Sequence, residues 1–170
     1  MASINEQATE RVVTSGSVGQ GQLSSAGPAI SQSILGGFTG TLAITAMMYF
    51  VAPLMMGTKM DIASMLGSVL GGSWWAGMAM HFVVGTLIFP LTYALFFYDS
   101  LPGGPTLKGI SLGVFLWLLA QAIMMPMMGA GFFSANAGGV MAVMGSLMGH
   151  VTYGALLGWI AGPHASSRSR

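Results

Sequence analysis

Apolar residues fall into four long blocks, near residues 34–56, 74–97, 109–128 and 139–161, and none of the blocks contains Asp, Glu, Lys or Arg. Each block reaches the roughly 20 helical residues needed to cross a hydrocarbon core about 30 Å thick. In lipid the backbone must satisfy its own N–H and C=O groups, and unbroken apolar blocks without strand alternation leave the helix as the way to do so. The pattern predicts an all-α polytopic membrane protein with a four-helix transmembrane domain at 33–162. It is flanked by a flexible polar tail at 1–32 and a short basic tail at 163–170.

The segments between the blocks carry patterns of their own. Across 58–70, Ile62, Met65, Leu66, Val69 and Leu70 share one helical face, and Thr58 and Asp61 have the spacing of a capping box, with Asp in place of Glu or Gln. A short helix lying in the outer membrane interface is expected there, followed by Trp74 and Trp75 at the level of an aromatic belt. The next connection contains Leu101-Pro-Gly-Gly-Pro105, a helix-breaking turn.

The chain also resembles itself. Gly36, Gly40 and Pro53 match Gly109, Gly113 and Pro126 at one offset of 73, and His81 and Gly85 match His150 and Gly154 at an offset of 69. Two helices per unit make this a parallel repeat about an axis along the membrane normal. Small residues four apart let helix backbones approach closely, so Gly36, Gly40, Gly109, Gly113, Gly154 and Gly158 are expected packing positions. Gly145, Gly149 and Gly162 extend that series in the last block. The alternative use of these faces is a groove for another subunit.

Composition narrows the classes of function. Of 170 residues, 54% are hydrophobic and 5% charged, against about 25% charged in ordinary soluble domains. A net charge of +1 without a basic cluster argues against nucleic acid as a partner. The absence of cysteine excludes disulfides and thiolate chemistry. The tail before residue 33 lacks the basic start and apolar core of a signal peptide. Arg11, Lys108, Arg168 and Arg170 on one side, against Lys59 on the other, place both termini in the cytoplasm.

Candidate chemistry is sparse. His81 and His150 are the intramembrane ionisable residues apart from tyrosines, and such residues are functional candidates by default. One reading is a neutral imidazole hydrogen-bonded across the bundle to Thr86, Ser146, Thr152 or Gln121. The others are a metal or haem ligand pair, and a proton or substrate path. Met55, Met56, Met60, Met65, Met124, Met125, Met127 and Met128 gather toward the outer face. Thioethers and imidazoles suit Cu(I), which makes His81, His150, Met124, Met125, Met127 and Met128 a candidate metal set. Methionine is also flexible packing material. Within the blocks there is no carboxylate pair, nucleophile elbow or metalloprotease helix, so no catalytic residue is assigned and the chain is expected to be non-catalytic.

The run Trp74–Thr86 with His-Phe-Val-Val-Gly-Thr resembles an uncharacterised prokaryotic membrane family. So do Leu101-Pro-Gly-Gly-Pro, Lys108-Gly-Ile, Met125–Phe132 and His150-Val-Thr-Tyr-Gly-Ala-Leu-Leu-Gly158. The resemblance covers about residues 36–162. It implies a four-span domain of unknown function in a prokaryotic inner (plasma) membrane and carries no catalytic residue. Some members of the family it resembles are encoded near terminal respiratory oxidases. The leading expectation is an accessory or assembly subunit of a larger, respiratory membrane complex. A small transporter or copper-handling protein and a self-associating scaffold are the alternatives. Expected partners are the bilayer and other membrane subunits or a second copy; no cofactor is expected first, with copper or haem as the alternative.

Overall fold

A computed structural model describes residues 28–57 and 59–162, so the expected tails lie almost wholly outside the described residues, as does Thr58. Among the described residues five α-helices follow one another, with a single 3-10 turn at Phe132–Ser134 before the last: α1 (Ile30–Met56), α2 (Ile62–Ser68), α3 (Trp74–Ser100), α4 (Pro105–Met127) and α5 (Gly139–Ala161). All but α2 are long and apolar enough to cross a membrane, and no strand occurs among the described residues. Helix α1 begins inside the segment expected to be tail. The ends of α3 and α4 take in Asp99 and Lys108, where Pro105 opens α4 at its first turn. Lys108 Nζ donates to the Tyr98 carbonyl and lies 4.2 Å from the Tyr98 ring centroid, tying the end of α3 to the start of α4.

Helix α5 is the axis of the bundle, packed against α1 on one side and α4 on the other, while α1 also packs on α3. The six predicted packing glycines all lie on the two seams of α5. A Cβ on Gly36 would press the Leu157 backbone and one on Gly40 the Tyr153 ring; Gly109 and Gly113 sit against Gly154, Gly158 and the His150 backbone. Gly145, by contrast, meets nothing within 4 Å. Both glycine pairs of the repeat therefore face the same helix. Close packing culminates at the end near the Pro-Gly-Gly-Pro turn, where Tyr93, Tyr98, Leu112, Leu116, Tyr153, Leu157 and Ala161 form the core.

Proline shapes the helices. Segments of wider, π-type turn occupy Met47–Val51, Val84–Ile88 and Ala120–Met124, each beginning six residues before a proline: Pro53, Pro90 and Pro126. A proline ring collides with the carbonyl four residues earlier and donates no hydrogen bond, and widening the preceding turn relieves the collision. The wide turns of α1 and α4 start 73 residues apart, the offset of the matched prolines and glycines, so the repeat extends into backbone geometry. Helix α5 has no proline and runs unbroken. A further wide turn in α3, Tyr93–Phe97, has Asp99 rather than a proline six residues after its start.

Each of the three turns before a proline leaves its second carbonyl without a helical donor, because the amide five residues on belongs to proline. In α1 the Met48 carbonyl accepts instead from the Met60 amide at 3.1 Å. In α3 the Gly85 carbonyl accepts from Tyr153 Oη of α5 at 2.7 Å, deep in the bundle.

Helix α2 is a lid docked on α3. Ala63 and Gly67 press against Gly77, where a Cβ would strike the lid backbone. Asp61 is the N-cap itself, accepting from the Ser64 amide at 3.1 Å, rather than the distal member of a box begun at Thr58. The helix ends at Ser68, so Val69 and Leu70, expected on its apolar face, fall in the turn and stand exposed. Gly71 and Gly72, at φ 78° and 85°, reverse the chain into α3.

The uncharged connection between α4 and α5 folds back onto α4. Ser134 is buried and donates to Gln121 Oε1 at 2.8 Å, and the Phe133 ring packs edge-on to Trp117 at 5.9 Å.

Candidate functional site

Helices α3 and α4 approach each other closely only near the turn that joins them and diverge toward the lid. The space between them is a cavity of about 410 Å³, walled by all four long helices and roofed by Ile62, Met65 and Leu66 of α2. The wide turns meet at its level: Met48 of α1, Val84 and Gly85 of α3, and Ala120, Ile123 and Met124 of α4 are all lining residues. Leu119 and Ile123 line the cavity yet are 38% and 50% exposed, which opens its α4 wall sideways to the surroundings of the bundle.

His81 and His150 both line this cavity. His81 Nε2 lies 2.9 Å from Thr45 Oγ1, and the Thr45 hydroxyl donates its single proton to the Thr41 carbonyl at 2.6 Å. The imidazole must therefore donate from Nε2, leaving Nδ1 as its lone-pair nitrogen. His150 Nδ1 lies 2.8 Å from the Ser146 carbonyl, which only accepts. Here the proton is on Nδ1 and the lone pair on Nε2. Of the four partners expected for these rings, Ser146 serves His150 alone. Thr45, which anchors His81, lies on α1 and is one of several residues on that helix with the right spacing and type, so the sequence did not single it out. Gln121 is engaged by Ser134, and Thr86 Oγ1 has no partner among the described residues.

The methionines divide. Met124, Met125 and Met128 line the cavity with both histidines, whereas Met127 is 63% exposed and turned away from it. In a helix, a residue two positions from Met125 points about 200° around the axis, so four methionines in one helical run cannot share a face. Met55 and Met56 border a separate, narrow crevice between α1 and α5. The sequence reading missed Met48 and Met80, which join Met60 and Met65 in the cavity wall. Met80 is marked only by adjacency to His81, and Met48 only by its place before Pro53. Among the described residues no three His, Cys, Asp or Glu side chains converge as a metal site.

The rim is held by Asp61. Its Oδ1 accepts from Tyr49 Oη at 2.7 Å and from Trp74 Nε1 at 3.1 Å, and its Oδ2 lies 3.0 Å from Lys59 Nζ. Partial burial pushes this carboxyl upward, but hydrogen bonds from Tyr49, the Ser64 amide and Lys59 outweigh it and hold the group well below the usual carboxylate range.

The chain belongs to the Family of unknown function (DUF6789), which it matches over residues 28–170, a wider stretch than the 36–162 expected. No curated protein and no solved structure matches it.

Proposed function

Starting from a family without an assigned activity, we propose that the chain is a non-catalytic integral membrane protein that binds a small lipophilic molecule. The ligand enters sideways between α3 and α4 and lodges beneath the α2 lid. The observation that carries this reading is the apolar cavity of about 410 Å³ with both histidines in its wall. Its volume falls in the range of about 300–1,000 Å³ typical of small-molecule sites, which combine an apolar lining with a few placed polar groups. A bare ion would leave most of it empty. No carboxylate lines it, so the chain by itself is read as a binder. The distribution of Lys and Arg supports an orientation with the lid on the outer side of the membrane, in which the ligand comes from the outer leaflet.

Copper handling is the second reading. It is favoured by Met48, Met60, Met65, Met80, Met124, Met125 and Met128 sharing the wall with two imidazoles. The accessory-subunit and scaffold roles concern what surrounds the bundle, and either is compatible with an occupied cavity.

The test is purification of the tagged protein at native level in mild detergent, with mass spectrometry of the organic extract and metal analysis of the same sample. Ala120→Trp is the control, because Ala120 lines the cavity and an indole there would take up much of the room a ligand needs. A stoichiometric lipophile present in wild type and lost in Ala120→Trp is the expected result. Identical extracts from the two proteins would remove the lipophile reading. Copper lost on replacing His81 and His150 would install the second. Stoichiometric larger subunits would add the accessory role.

A further inference from the structure

The polar groups in the cavity wall are unevenly provided: all but Ser146 have spent their protons. Thr41 donates to the Gly37 carbonyl at 2.7 Å, and Tyr153 donates to the Gly85 carbonyl at 2.7 Å. His81 uses its N–H on Thr45 and His150 uses its own on the Ser146 carbonyl. What remains unspent on these lining residues is a set of acceptors: Nδ1 of His81, Nε2 of His150, the lone pairs of the two hydroxyls, and thioether sulfurs, which accept weakly. Ser146 alone keeps a hydroxyl proton without a close acceptor, its Oγ standing 3.5 Å from His150 Nδ1.

A wall of this kind discriminates by hydrogen-bond polarity. A ligand that offers only acceptors, such as a ketone, an ether or an ester, finds almost nothing to bond and buries its own oxygens unpaired, which is costly in an apolar site. A ligand that brings hydroxyl protons satisfies itself and the imidazoles together. An ammonium group would also bring protons, but no carboxylate lines the cavity to balance its charge. Resting on the cavity reading above, we infer that the ligand is a hydroxyl-bearing lipophile, a phenol or alcohol whose O–H groups are received by His81 Nδ1 and His150 Nε2.

Paired probes test this. Para-octylphenol and its methyl ether have nearly the same shape, and they differ in the one proton at issue. Their binding to the purified protein in detergent is followed by isothermal titration. The phenol is expected to bind about tenfold more tightly than the ether, as one good hydrogen bond predicts. In the His81→Phe, His150→Phe double variant the preference for phenol over ether should vanish, read as a ratio so that any change in the size of the site cancels. If wild type binds both probes equally, the donor inference is wrong and the cavity reading survives. If wild type binds neither and Ala120→Trp behaves identically, the cavity reading falls and takes this inference with it. The wild-type comparison needs no variant to fold, so the inference stays exposed even if the double substitution destabilises the bundle.

Discussion

Pro90 removes one amide hydrogen from α3, and the consequence is carried by a residue on another helix. The widened turn before it diverts the Phe89 amide to the Val84 carbonyl, and the Gly85 carbonyl is left for Tyr153 Oη at 2.7 Å. Tyr153→Phe would keep the ring's packing against Phe89 and strip the donor. The expected cost is about 1–2 kcal/mol for a buried carbonyl left unpaired, read as reduced resistance to denaturation in detergent. The effect should shrink in a Pro90→Ala background, where the restored amide offers the helix its own donor. An undiminished cost there would mean that Tyr153 acts by packing alone. At this scale the histidines are also settled, since a threonine with one proton and a carbonyl with none decide which nitrogen of each ring is free.

Helix α2 is too short, at seven residues, to be stable by itself. It persists because Ala63 and Gly67 dock on Gly77 and because Asp61 ties its first turn to Tyr49, Trp74 and Lys59. Asp61→Asn keeps the shape and weakens the acceptor. Amide exchange across α2 should accelerate by about tenfold, in line with hydrogen bonds to a charged group. The pH dependence has a definite sign. The carboxyl is held below its unfolded value of about 4, so its stabilisation is fully present above that value and is lost as pH falls through the lower folded one. Lid protection, with the intrinsic exchange rate at each pH divided out, should fall on acidification below about pH 4, and Asp61→Asn should flatten that fall. A lid insensitive to both changes would assign its docking to the apolar seam alone.

In the whole molecule, tight and loose packing are segregated. Glycine seams and the tyrosine-leucine core draw the helices together near the Pro-Gly-Gly-Pro turn, and the opposite half is propped open beneath the lid. Substitutions of one kind should therefore differ with position. Gly154→Leu would drive a side chain into the Gly109 backbone, whose carbonyl carbon lies 2.8 Å from the added Cβ, and the bundle should lose its folded form in detergent. Gly145→Leu, on the same helix where nothing lies within 4 Å, should be tolerated within about 0.5 kcal/mol. Thermal unfolding of both variants checks the contrast, and equal losses would contradict the segregation.

Four apolar blocks free of charge were enough to determine the all-α class, the number of long helices and their bounds to within a few residues, because long apolar blocks without strand alternation leave the helix as the backbone that satisfies its own polar groups. Glycine spacing likewise marked the seams of α5, since close approach is a demand on residue size that the sequence states directly. The repeat marked Pro53 and Pro126, and both turned out to stand behind a widened turn. The cavity was not legible in that way. Periodicity tells which residues share a face of their own helix, but the rotation of that face relative to three neighbours is settled by all the contacts together. A cavity is moreover a place where side chains are missing, and no single residue encodes it. That is why Met127 was grouped with Met124, Met125 and Met128 in the sequence and parted from them in space. It is also why His81 and His150 could be named from the sequence as candidates, while their common wall and the identity of their free nitrogens were decided by tertiary structure.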